Sequence, residues 1–445
     1  MARTTALLLT LVGGLLPAVG HAEGGLRKGP WLMDLRRDSV VVMVEREIPG
    51  PLHISARALG PATLPDGDAA TAMGALPAPV DLDDDISLDL HEIQLRGLSP
   101  GTRYEYRVTG PGVESTGGTF TTAPERAVPF RFAIYGDTRS DPRAHRAVIE
   151  ALRREGPDFV IHTGDLVGDG RDEDLWQRFF DTAEPMLRDV PFVPVIGNHE
   201  FLSPASSGAE NYRRYVHFEP TGPSPELDAV FRFANTRFIL TSSYDDWTGP
   251  SREWLVHELE TARREDPTGW LFVVMHEGPR SSGPHGDSEA LRDAGVDRLL
   301  RRMRVDLVIS GHDHAYERGD DEGLRYMVSG GGGAPLYPRR SVRSFSKMYR
   351  SEFHHVRVDV DRDRVVFDAT RPDGTVFDHA VLHHNGWDDM RREPAAPEQA
   401  TPEAPATPDA PVRSMIDPET LLKFAPLFVL VSLLAWVARK RSERR

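Results

Sequence analysis

Five times in this 445-residue sequence, a run of apolar, strand-forming residues ends in Asp, Asn or His, mostly just behind a glycine. Phe132-Ala133-Ile134-Tyr135 leads into Gly136-Asp137, and Phe159-Val160-Ile161-His162-Thr163 into Gly164-Asp165. Phe192-Val193-Pro194-Val195-Ile196 leads into Gly197-Asn198-His199-Glu200, and Leu271-Phe272-Val273-Val274-Met275 into His276. Val305-Asp306-Leu307-Val308-Ile309-Ser310 leads into Gly311-His312-Asp313-His314. Carboxylate, amide and imidazole donors suit Zn, Mn and Fe, and ligand sites of α/β sheets gather at the carboxyl ends of strands. His312 and His314, one extended dipeptide step apart, are expected to point to the same side. A single Gly-Asp reads as a turn and a single His-x-His as a surface pair. The series of five reads as a metal site.

Such a site needs a sheet to carry it. From Phe130 onward, apolar strands alternate with charged stretches of helical period, as at about 143–154 and 251–264, the signature of an α/β domain. The block before it is different. Ser39-Val40-Val41-Val42-Met43-Val44 reads as one strand, and Thr102-Arg103-Tyr104-Glu105-Tyr106-Arg107-Val108 as another with a single buried face. Leu98-Ser99-Pro100-Gly101-Thr102 is a turn signal between them. This block carries no catalytic constellation and reads as a support or docking module.

The ordered set of strand-end residues resembles the calcineurin-like metallophosphoesterase superfamily, in particular its purple acid phosphatase branch. Gly311-His312-Asp313-His314-Ala315-Tyr316-Glu317-Arg318 and Gly330-Gly331-Gly332-Gly333-Ala334-Pro335-Leu336-Tyr337 are especially close to that branch, and Lys28-Gly29-Pro30-Trp31-Leu32 resembles the start of its N-terminal domain. The resemblance implies an N-terminal fibronectin-like β-sandwich over 26–124 and a metallophosphoesterase α/β sandwich over 128–385. It implies two metal ions, of Fe, Mn or Zn. Asp137 and His314 would hold the first, Asn198, His276 and His312 the second, and Asp165 would bridge them. His199 and His285 match histidines that contact substrate, with His199 helping the leaving group depart.

The chain departs from the pattern at two positions. Gly168 stands where the branch has a tyrosine ligand, so neither the purple colour nor a firmly held ferric ion is expected. Arg139 stands where other superfamily members have a histidine. Water could fill the vacancy, or His145 could reach in, although a solvent-facing helix position is the plainer expectation for it. Arg139 could grip a phosphate oxygen through its guanidinium fork or make a structural ion pair. The resemblance implies hydrolysis of phosphate esters by in-line attack of a metal-bound hydroxide. The alternatives are a phosphodiesterase or nucleotide hydrolase on the same site, or a non-catalytic envelope binding protein with a depleted metal site.

Composition narrows the partners. A net charge of −15 argues against a nucleic-acid polymer, while metal ions would supply the local positive charge a small phosphate ester needs. With no cysteine there is neither a disulfide nor a thiolate nucleophile. Met1–Ala22, with Arg3, an apolar run and small residues at Gly20 and Ala22, reads as a signal peptide. Residues 390–417 read as a Pro/Ala-rich linker. Leu421–Ala438 reads as a transmembrane helix, since its 18 residues would span roughly 27 Å. The tail 439–445 is basic and expected in the cytoplasm. Together these imply export to the cell envelope, with the catalytic part outside the cytoplasm.

Overall fold

Valine-rich Ser39–Arg46 is buried along its whole length, because it is the central strand of a three-stranded antiparallel sheet between Leu26–Met33 and Leu90–Arg96. A four-stranded antiparallel sheet follows in the order Val80–Asp84, Leu52–Pro61, Thr102–Gly110, Val113–Thr121. Thr102, Tyr104, Tyr106 and Val108 face inward and Arg103 and Arg107 outward, as the period-two pattern requires. The computed structural model describes residues 25–61, 78–84, 88–201 and 207–392. The expected signal peptide, transmembrane helix and basic tail lie outside these residues, as does all but the start of the linker. No helix among the described residues is long and apolar enough to cross a membrane.

Past Phe130 the chain builds two seven-stranded sheets. One runs Phe192–Pro194, Phe159–His162, Phe130–Tyr135, His355–Val360, Val365–Thr370, Val376–His383, Gly386–Arg392, with its first three strands parallel. The other runs Ala229–Phe233, Thr236–Leu240, Trp270–Val274, Leu307–Ser310, Leu324–Ser329, Tyr316–Asp321, Ser346–Arg350. Thr236–Leu240, Trp270–Val274, Leu307–Ser310 and Leu324–Ser329 are mutually parallel in it.

Alternate residues of these strands face opposite layers. Phe132 stacks on Phe159 (5.2 Å) and meets the edge of Phe238 of the second sheet (5.4 Å), so aromatic rings fill the space between the sheets. Behind the second sheet, Ile239, Leu271, Val273 and Val308 pack with Leu255 and Leu259 of the helix Pro250–Glu265. Behind the first lie the helices Pro142–Glu155 and Glu173–Leu187. The former starts at Asp141, whose carboxylate accepts the amides of Arg143 and Ala144, and stops at Gly156 in the left-handed region (φ 63°). The expected mixed α/β architecture is therefore present, with both helical ranges within two residues of expectation.

One boundary needs correction. The α/β part does not end at 385, because Gly386–Arg392 adds an edge strand against Val376–His383 and takes the first residues assigned to the linker. Trp387 drives this, packing on Phe367 at 5.2 Å.

The β-rich region is bonded to the α/β part. Trp31 packs on Phe180 (4.6 Å), and its indole N–H donates to the Tyr215 carbonyl (3.1 Å). Buried Lys28 pairs with Glu45 and donates to the Tyr215 hydroxyl (3.0 Å). Arg214 reaches Glu45 (3.0 Å) and Asp89 (2.8 Å).

Candidate metal centre

The strands that end in Asp137 and Asp165 are parallel neighbours, and their ends are zipped together. The Asp137 amide donates to the Gly164 carbonyl and the Thr138 amide to the Asp165 carbonyl, both at 3.0 Å. Glycine precedes a ligand because the strand ends leave no room for a side chain. A Cβ on Gly197 would lie 2.1 Å from an Asp165 carboxylate oxygen, and one on Gly164 would lie 2.6 Å from His276 Nδ1. Asp137 (φ 57°), Asp165 (φ 52°) and His312 (φ 71°) all occupy the left-handed region. That conformation costs an L-residue about 1–2 kcal/mol, and strain of this kind gathers at functional sites.

Asn198 is the hub of one donor group. Its Oδ1 lies 3.2 Å from His276 Nε2 and 3.1 Å from His312 Nδ1. His276 Nε2 is 3.3 Å from Asp165 Oδ1. A tetrahedral cation with bonds of about 2.0–2.1 Å needs its ligand atoms about 3.3–3.4 Å apart, so these spacings fit one. His276 is oriented by its Nδ1 against the Thr163 carbonyl (2.6 Å), which turns Nε2 toward the cluster.

Asp137 and His314 form the second group, with His314 Nε2 3.6 Å from Asp137 Oδ1. That oxygen is buried and has no hydrogen-bond partner, as fits a carboxylate made for a cation. The other oxygen accepts the His312 amide at 3.2 Å. His314 Nδ1 sits 2.6 Å from the Pro335 carbonyl, and its ring stacks on Tyr337 at 4.0 Å. Ligand atoms of Asp137, Asp165 and His276 all lie within 4.8 Å of one another.

Electrostatics prepare both groups for cations. Burial and the neighbouring Asp165 push the Asp137 carboxyl well above the usual range. Burial would raise Asp165 too, but His276, His199 and Arg139 outweigh it and hold that carboxyl low. Burial depresses His276 and, more strongly, His312, and pushes His314 down to about 3. The imidazoles are therefore neutral, as metal ligands must be.

Around the donors, the His199 amide donates to Asp165 Oδ1 (3.1 Å), and its Nδ1 meets the Gly168 carbonyl (2.7 Å). Arg139 Nε lies 3.5 Å from Asp165 Oδ2. His285 is exposed and rests against His312, with ring centroids 4.0 Å apart. The nine residues expected to hold metal or contact substrate are thus linked by short contacts into one cluster.

Two expectations fail in detail. His312 and His314 do not lie on an extended strand; the left-handed turn at His312 sends one ring to each donor group. His145 does not face solvent. Its ring is buried between Tyr135 (5.8 Å) and Phe179 (5.6 Å), burial holds it down to about 3, and it is not among the clustered donors.

Glu200 was missed as a functional residue, although it closes the quartet Gly197–Glu200. It is fully buried. Its carboxylate accepts the amides of Gly197 (2.9 Å), Asp165 (3.0 Å) and Val167 (3.1 Å), locking two ligand loops together.

Residues 130–316 match the family described as calcineurin-like phosphoesterase. The chain is 29% identical over 293 residues to purple acid phosphatase 21 of Arabidopsis thaliana, covering 61% of this chain and 65% of that protein. It is 29% identical over 270 residues to an uncharacterized protein of Mycobacterium tuberculosis, covering 52% of this chain and 50% of that one. The chain thus spans between half and two-thirds of the length of these relatives. Its fold is similar to that of purple acid phosphatase PPD1 from yellow lupin (TM-score 0.65, 19% identity, 80% of this chain and 74% of that one). It is similar also to PhoD (TM-score 0.64, 13% identity, 85% and 94%).

Proposed function

We propose that this chain, which carries a calcineurin-like phosphoesterase domain behind a β-rich N-terminal region, is a dinuclear metal-dependent hydrolase of phosphate esters, acid phosphatase-like in type. The observation that carries the reading is the meeting of Asp137, Asp165, Asn198, His276, His312 and His314 from five strand ends at one point. Asp165, Asn198, His276 and His312 would hold one cation, and Asp137, His314 and Asp165 the other. Bound there, the pair supplies Lewis acidity and neutralises phosphoryl charge.

The remaining chemistry belongs to side chains. The Gly168 carbonyl fixes His199 through Nδ1, leaving Nε2 on the Asp165 side, 3.8 Å from Oδ2. From there Nε2 delivers a proton to the departing oxygen, a role that typically contributes about 10²–10⁴-fold. Arg139 presents a guanidinium beside the bridging carboxylate, suited to a non-bridging phosphate oxygen. His285 lies against His312 at the open side and contacts the ester group. Ser310 is buried and donates to the Met327 carbonyl (3.3 Å), which leaves it no nucleophilic role.

Asp165→Ala and His276→Ala are expected to lose metal-dependent hydrolysis of p-nitrophenyl phosphate while keeping a native circular-dichroism spectrum. Wild-type rates in both would sink the proposal. Comparison with bis-p-nitrophenyl phosphate separates monoesterase from diesterase. Sheets of three and four strands support the fibronectin-type reading of the N-terminal region. The sequences of Met1–Ala22 and Leu421–Ala438 support export and anchoring at the membrane, testable by protease accessibility on intact cells.

A further inference from the structure

The chain carries 15 more acidic than basic charges, yet from Gly323 to Ser351 it contains no Asp or Glu. In that stretch stand Arg325, Arg339, Arg340, Arg343, Lys347 and Arg350. Arg339, Arg340, Arg343 and Lys347 are exposed. Arginines elsewhere in the described residues are commonly matched with carboxylates, as Arg357 is with Glu155, Asp359 and Asp368. Arg339, Arg340 and Arg343 instead donate to neutral oxygens of the loops themselves. Arg339 reaches the Ser341 carbonyl (3.0 Å), Arg343 the Ser341 hydroxyl (3.1 Å), and Arg340 the Pro284 carbonyl (2.7 Å). Among the described residues, none of these three pairs with a carboxylate.

The part of this stretch that bears the exposed cations, residues 337–350, forms a strap fixed at the mouth of the metal centre. The amides of Arg340 and Ser341 both donate to the Ser282 carbonyl (2.9 and 3.1 Å), which ties the strap to the loop that bears His285. Its leading residue, Tyr337, stacks on His314, and the Tyr349 hydroxyl donates to the Tyr337 carbonyl at 3.1 Å. Two carboxylates beside the His285 loop are already engaged. Asp313 accepts the His285 amide and the Ser281 hydroxyl, and Asp287 accepts the Ser281 amide. A set of unneutralised guanidiniums held beside an anion-processing site raises the local concentration of multiply charged anions and selects among them.

We propose that Arg339, Arg340 and Arg343 form a second anion-recognition site that binds a further phosphate group of the substrate while the scissile phosphate occupies the metal centre. The favoured substrates are therefore phosphate esters with at least one additional phosphate. This rests on the hydrolase reading above and adds to it a substrate class.

The test compares adenosine 5′-monophosphate with adenosine 3′,5′-bisphosphate, which share a 5′ ester and differ by one phosphate. In the metal-loaded wild type, KM for 5′-phosphate release is expected to be about tenfold lower for the bisphosphate, the effect of about one charge-assisted hydrogen bond, and to lose that advantage as salt is raised. The triple variant Arg339→Gln, Arg340→Gln, Arg343→Gln erases the preference, with kcat and the kinetics of the monophosphate within twofold of wild type. The triple Arg→Lys variant, which keeps charge and tests for a merely structural role, retains part of it. Equal KM values in the wild type, or an undiminished preference in the Gln variant, overturn the proposal. If the wild type hydrolyses neither compound, turnover of p-nitrophenyl phosphate decides the hydrolase reading. Calorimetric binding then decides this inference: tighter, strap-dependent binding of the bisphosphate supports it, and equal binding overturns it.

Discussion

Replacing Glu200 with alanine removes one buried carboxylate and strands three amides at once. Glu200 Oε2 accepts from Gly197 and Asp165, and Oε1 accepts from Val167. Each buried amide left without a partner costs roughly 1–3 kcal/mol. With some relief from water, the sum is roughly 3–6 kcal/mol, a large share of the 5–15 kcal/mol that stabilises a typical domain. Glutamine grades the effect. Its carbonyl can keep the Gly197 and Asp165 amides, but its NH₂ then opposes the Val167 amide, for a loss of roughly 1–3 kcal/mol. Because the Asp165 amide is one of the three, the Asp165 carboxylate shifts as well, and metal affinity is expected to fall about 10–100-fold. Urea unfolding of chelator-treated protein measures the first effect, free of metal-linked stabilisation, and calorimetric metal titration measures the second. The expected order is wild type, Glu200→Gln, Glu200→Ala. An alanine variant within 1 kcal/mol of wild type, with unchanged metal affinity, would show that this carboxylate does not organise the loops.

Three further outcomes follow from the geometry. Asp378→Ala is expected to destabilise the protein by about 3–5 kcal/mol in thermal or urea melts, because it leaves Arg318 fully buried without its carboxylate and takes the acceptor from Tyr316. Gly197→Ala should abolish tight metal binding, while Gly168→Ala should change activity less than twofold, since its new Cβ meets nothing nearer than 3.7 Å. His217 hydrogen-bonds Glu92 across the junction with the β-rich region (2.9 Å), and that bond raises its pKa. A raised folded pKa gives stability that is full below the unfolded value of about 6.5 and is lost as pH rises through the folded value. The stability advantage of wild type over His217→Gln should therefore be larger at pH 5.5 than at pH 8.5, by no more than about 1 kcal/mol for so exposed a pair.

The candidate donors were legible because strand ends impose a local grammar: a buried apolar run, a glycine where neighbouring loops touch, then a donor. Asp137, Asp165 and Asn198 all obey it. What escaped depended on contacts distant in sequence. Glu200 serves amides 33 and 35 residues away, which no local pattern reveals. The left-handed turn at His312 places its amide on Asp137, 175 residues away, so the extended reading of His312 and His314 was wrong about backbone while both rings still reach the cluster. His145 could have been placed. Together with Val148, Ile149 and Leu152 it completes the spacing i, i+3, i+4, i+7 of one buried helix face. Trp387 was masked by its polar neighbours, and a lone aromatic in such company carries no period to read.

The seating of Trp31 against Phe180 and Tyr215 has a consequence for how this chain can be re-engineered. The helix that supplies Phe180 follows directly on the Asp165 loop, and the helix that ends at Tyr215 follows on the Asn198 loop. Whatever replaces the N-terminal region must refill the indole's seat and reproduce the Lys28–Glu45–Arg214 charge pattern, or those two helices will settle elsewhere and carry the donor atoms with them. Chimeras cut between Thr121 and Phe130 are therefore tests of turnover as much as of solubility, and shuffling at that seam is far less free than its position between two architectures suggests.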